Sequence, residues 1–66
     1  MPLHRCRLDV PFIHFSLGIH AKDPEEAALS FRLEVIGAGH PEGDIIVTDP
    51  RGTRFRFTWG MVMVLK

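Results

Sequence analysis

The residues best suited to chemistry in this chain are one cysteine and four histidines, and two of them lie close together in His4-Arg5-Cys6. On an extended strand these two side chains share a face, because alternate residues point the same way. A structural zinc site takes four ligands, usually as two short-spaced pairs. Here one pair stands alone, and His14 and His20 fall on the opposite parity. Cys6 sits between Arg5 and Arg7, a setting that lowers a thiol pKa when the sulfur is accessible, but its plainer reading is a small buried thiol. No Ser or Cys is paired with His at a motif spacing, and no glycine-rich phosphate loop is present. The expectation is a non-enzymatic protein with no catalytic residue, metal or cofactor.

A second chemistry is electrostatic. Arg51, Arg54 and Arg56 interleave with Phe55, Phe57 and Trp59, and arginines with aromatics on a sheet are a means of meeting RNA. Compared with the RNP1 pattern, Arg51-Gly52 fits the start, but Thr53 stands where an aromatic belongs and Arg54 where a small residue belongs. The aromatics are also needed for the core. What remains is an arginine-bearing outer face, Arg5, Arg7, Arg51, Arg54 and Arg56, able to meet phosphates without reading bases.

The elements that must position these residues are few. Sixty-six residues make one small α+β domain, and a chain of this size buries only roughly 60% of its unfolded surface. Hydrophobic residues make up 45% of it, generous for so small a domain, and this favours a homodimer that covers some of that surface. The single cysteine excludes an internal disulfide and, with no signal-peptide pattern, points to a reducing cytoplasmic setting. The longest apolar run, residues 61–65, is too short to span a bilayer. Formal charge is zero, yet segregated: +2 over residues 1–22, −6 over 23–49 and +4 over 50–66. An acidic helix and loop balancing basic strands within one fold accounts for that pattern.

One helix is marked at both ends. Asp23 is an N-cap, Pro24 fits the first helical position, Glu26 stands where a capping-box partner belongs, and Gly37-Ala38-Gly39 followed by His40-Pro41 supplies the stop. At 100° per residue, Ala27, Ala28, Phe31 and Val35 share the face that meets the sheet. Leu29, Leu33 and Ile36 form a second apolar stripe that a one-sided helix does not require.

Residues 3–21 read as strand, with a change of parity: Cys6, Leu8, Val10 and Phe12 share one face, and Ile13, Phe15, Leu17 and Ile19 the other. Pro11 lies at the slip, so an irregularity is expected at residues 10–13. It is either a bulge in one strand or a hairpin folding residues 3–8 onto 12–19. Residues 45–48 form a short strand, and Asp49-Pro50-Arg51-Gly52-Thr53 a bulged hairpin turn. Residues 54–66 then alternate well, with Arg54, Arg56 and Thr58 on the outer face, and turn apolar on both faces after Gly60 through Val62 and Val64. This long strand is expected at the sheet centre. The result is β-α-β-β, a three-stranded mixed sheet of order 2-3-1 with one helix across one face.

The stretch Ala21-Lys22-Asp23-Pro24-Glu25-Glu26-Ala27-Ala28 resembles the strand-to-helix junction of small β-α-β-β proteins from phages and bacteria. It is similar, too, to the helix entry of HicB-type antitoxin domains. The Pro-Gly-Cys segment usual before that helix is missing, and no DNA-binding region is attached, so no functional residue carries over. Neutralising a toxin is what the resemblance implies. The leading expectation is a protein–protein interaction module of phage or bacterial accessory type, acting as a homodimer on another protein. Its contact residues would be Leu29, Leu33, Ile36, Met61, Val62 and Val64. The alternative is electrostatic nucleic-acid binding through the five arginines. No membrane partner is expected.

Overall fold

A computed structural model describes residues 1–60 of the chain. Five elements follow in order: β1 (Leu3–Asp9), β2 (Ser16–His20), α1 (Pro24–Gly37), β3 (Asp44–Thr48) and β4 (Arg54–Phe57). The four strands form one sheet of order β2-β1-β3-β4, antiparallel at every junction. The α+β class and the helix α1 agree with the sequence expectation. The three-stranded mixed sheet of order 2-3-1 does not.

The correction begins at Pro11. Val10 bridges Ile13 and Leu8 N–H donates to the Phe15 carbonyl at 2.9 Å, so the parity change marks a tight turn between two strands rather than a bulge in one. Pro11 presets its own φ, and Phe12 takes the left-handed conformation at φ 66. The hairpin alternative is therefore the observed one, and β1, not the C-terminal strand, sits inside the sheet. α1 then carries the chain from β2 to β3, which run parallel with β1 between them.

The second correction lies beyond the β3–β4 turn. β4 ends at Phe57 and stands at the sheet edge, and Trp59 and Gly60 are helical. Alternating polarity extended the expected strand past Gly60, but four residues already match the length of partner that β3 offers. The remainder of the expected strand, Met61, Val62 and Val64 included, lies outside the described residues.

Both ends of α1 form as their residues dictate. Asp23 Oδ1 accepts from Glu26 N–H at 2.8 Å, and Glu26 Oε1 accepts in return from Lys22 N–H, one residue ahead of the cap, at 2.8 Å. At the other end Gly39 adopts φ 76, His40 N–H donates to the Val35 carbonyl and Gly39 N–H to that of Ile36, the double closure of a Schellman stop. The β3–β4 turn is the expected one: Asp49 Oδ1 accepts from the amides of Arg51 and Thr53, with Gly52 at φ 91.

The core lies between α1 and one face of the sheet. Ala27, Ala28, Phe31 and Val35, the predicted helix face, are its buried residues on α1. They meet His4, Cys6 and Leu8 of β1, Ile45 and Val47 of β3, and Phe57 of β4. Phe15 stacks on Phe31 with ring centroids 5.5 Å apart. Gly43 is required by close approach, since a Cβ there would collide with Val10 Cγ1.

Candidate functional site on the open sheet face

Strand alternation that sends His4, Cys6 and Leu8 inward must send Leu3, Arg5, Arg7 and Asp9 outward. Registers then set the outward residues in rows across the sheet. One row runs Gly18, Arg5, Thr48, Arg54, and the next runs Ser16, Arg7, Ile46, Arg56. Beyond them Asp9 stands opposite Asp44. No element among the described residues covers this face.

Four of the five arginines expected to meet nucleic acid are thus brought together by β1 and β4, and Arg51 lies in the β3–β4 turn at the margin. They are not equivalent. Arg56 Nη1 donates to Asp9 Oδ2 at 2.9 Å and to Asp44 Oδ2 at 2.8 Å, closing three strands with one guanidinium. The hydrogen bonds it donates to Asp44 and then Asp9 hold Arg56 above its ordinary pKa. Arg7 has a looser contact with Asp9 at 3.6 Å. Arg5 and Arg54, on either side of Thr48, make no ion pair with any described residue.

These residues border a shallow concavity of about 750 Å³, lined by Arg5, Arg7, Arg54, Ser16, Thr48 and Ile46 among others. Ile46 is only 8% exposed although it points away from the helix. Its register neighbours are Arg7 and Arg56, whose aliphatic stems cover apolar surface while their heads stay in water. Ile46 thus supplies an apolar spot between cationic neighbours, with the hydroxyls of Ser16 and Thr48 beside it. No phenylalanine or tryptophan belongs to these rows, so the face carries charge and hydroxyls without a stacking platform.

The other sequence candidates sit elsewhere. His4 is buried, with Nδ1 3.3 Å from the Pro2 carbonyl, and Cys6 is buried beside it with Sγ 3.8 Å from the Ala27 carbonyl. Burial pushes the Cys6 thiol up to about 11, the reverse of what a reactive cysteine needs. Among the described residues no three His, Cys, Asp or Glu side chains converge as a metal site would require.

The second stripe on α1 is divided. Leu29 packs against the core, whereas Leu33 and Ile36 stay 65% and 53% exposed. The Arg32 guanidinium lies 5.1 Å from the centre of the Trp59 ring, which is itself packed on the core. What the sequence did not disclose is the Asp9–Arg56–Asp44 bridge: each residue is visible, but only the strand register sets them side by side.

No protein-family model, curated protein or solved structure matches this chain. The HicB-like helix entry consequently rests on residues 21–28 alone, of which Lys22, Asp23 and Glu26 form the helix cap and Ala21, Ala27 and Ala28 pack in the core. No helix among the described residues is long and apolar enough to cross a membrane.

Proposed function

We propose that this chain is a small binding module whose open sheet face takes the phosphate backbone of a nucleic acid. One observation carries the reading: Arg5 and Arg54 flank Thr48 on a concave, uncovered face, without carboxylate partners among the described residues. Phosphate oxygens accept from guanidinium forks and hydroxyls, and such contacts fix position without reading sequence. The absence of an aromatic platform in those rows argues for backbone contact over base stacking. Asp9 and Asp44 limit the cationic patch to one end of the sheet and so set which part of it the ligand occupies.

A second reading is favoured by Leu33 and Ile36, two exposed apolar side chains one helical turn apart. In that reading the chain docks on another protein as an adaptor or inhibitor of phage or bacterial accessory type, in the cytoplasm. A single titration separates the two. Amide shifts are followed by NMR as a single-stranded oligonucleotide is added at low salt. The first reading expects the largest changes at Arg5, Arg7, Thr48 and Arg54. No change on the sheet at millimolar oligonucleotide overturns it.

A further inference from the structure

The two edges of the sheet are built differently. In the β1–β2 pair, Leu8 N–H donates to the Phe15 carbonyl and Ala21 N–H to the Pro2 carbonyl. Antiparallel ladders alternate bonded and non-bonded pairs, so the odd-numbered residues of β2 turn their amides and carbonyls toward β1. Ser16, Gly18 and His20 turn theirs outward, and no strand among the described residues pairs with them. The β3–β4 pair obeys the same rule: Asp49 N–H donates to the Thr53 carbonyl, which leaves the backbone of Arg54 and Arg56 on the outer edge.

Natural sheets protect a free edge with charge, proline, a bulge or a cover. β4 is protected. Every register that pairs its bonded residues with those of a second β4 sets an arginine opposite an arginine. β2, with the sequence Ser-Leu-Gly-Ile-His, contains no Lys, Arg, Asp or Glu, no proline and no bulge.

We infer that β2 is a self-pairing edge, and that two copies of this chain join through it about a twofold axis at Gly18. Antiparallel pairing centred there sets Ser16 opposite His20, Gly18 opposite Gly18 and Leu17 opposite Ile19. All three outward-facing residues fall in bonded pairs, giving six backbone hydrogen bonds. No like charges meet. Leu17 and Ile19, half-buried in one copy, gain an apolar neighbour across the junction. Gly18 brings no side chain to the axis, and an added Cβ would lie 3.0 Å from Leu3 Cδ1 of the same copy, which would have to give by a few tenths of an ångström.

A twofold axis perpendicular to the sheet keeps both helices on one side and both arginine faces on the other. The dimer is an eight-stranded sheet with one continuous open face. This inference does not depend on what that face binds.

Sedimentation equilibrium over a wide concentration range, paired with residue-resolved amide exchange, tests it. The mass is expected to rise from 7.5 kDa toward twice that value. In step, the Ser16, Gly18 and His20 amides should slow at least tenfold, from solvent-like exchange in the dilute chain. Ser16→Pro removes only an outward amide, so it should hold the fold and remain monomeric. If that variant does not fold, the Ser16→Asp/His20→Asp pair, which sets carboxylates opposite each other, should give the same monomer. Two results overturn the inference: a monomer at all concentrations, or a dimer in which those three amides exchange at their dilute rate. The second would place the interface elsewhere, as at Leu33 and Ile36.

Discussion

The two faces of this sheet are made by alternate residues of the same strands and carry opposite loads. On β1 the inward set His4, Cys6 and Leu8 is buried, and the outward set Arg5, Arg7 and Asp9 is exposed. On the inner side Phe31, Val35 and their neighbours close an apolar core. On the outer side charges are distributed rather than packed, neutralised at one end by Asp9 and Asp44 and, among the described residues, unpaired at Arg5 and Arg54. In a domain this small, stability of only a few kcal/mol must come almost wholly from the inner face.

That contrast breaks first at Phe31. Phe31→Ala removes the largest fully buried side chain, and a buried aromatic truncation costs about 3–5 kcal/mol. This is comparable with the whole stability of the domain, so the variant should lose its cooperative thermal transition by circular dichroism. Residual folding at 25 °C near the wild-type level would mean that the core lies elsewhere.

Cys6 gives the next largest effect, through pH. Burial holds its folded pKa at about 11, above the ordinary thiol value of 9.0. Below pH 9 both states keep the proton and stability is unaffected. As pH rises past 9 the unfolded chain releases it while the folded chain does not, so stability falls until about pH 11. The loss is on the order of 2 kcal/mol. Urea midpoints measured between pH 7 and 11 should decline accordingly, and Cys6→Ala should flatten the decline.

A smaller effect of opposite sign is expected at the turn that separates the two strand parities. Phe12 is fully exposed and holds φ 66 with a bulky side chain. Phe12→Gly relieves the left-handed strain, partly offset by the added freedom of the unfolded chain, and should raise stability by about 0.5–1 kcal/mol. A lower melting temperature would show that the ring contributes packing.

The smallest stability effect belongs to the outer face. Arg5→Ala and Arg54→Ala should each move the urea midpoint by no more than about 0.5 kcal/mol equivalent. Equal sensitivity of the two faces would abolish the contrast.

Much of the inner face was legible in the residues. Asp23, Pro24 and Glu26 at one end of α1 and Gly39 at the other act locally, so their effect is readable without knowing the fold. The buried quartet of α1 followed from helical periodicity alone. The Asp49–Thr53 turn was readable for the same reason. The strand order was not legible, because it depended on whether Pro11 marks a bulge or a turn. Both explain the parity change equally well, and only tertiary pairing decides between them. The alternation from Arg54 onward was also misleading, since period two continues past the point where β3 stops offering partners. On the outer face Arg54 and Arg56 were assigned correctly by parity. Their difference was hidden: Arg56 is held by Asp9 and Asp44, 47 and 12 residues away in the chain, and Arg54 is not.

Binding of phosphates by Arg5 and Arg54 on the open face is measured most directly by the salt dependence of oligonucleotide affinity. Each phosphate contact on a single strand contributes about 0.7 to the slope of log affinity against log salt. Arg5→Ala/Arg54→Ala should therefore flatten the wild-type slope by about 1.4 and weaken binding at low salt. Lys22→Gln, which removes an exposed charge from the helix approach, should leave the slope unchanged. Identical slopes for the wild-type and doubly substituted chains would contradict the account.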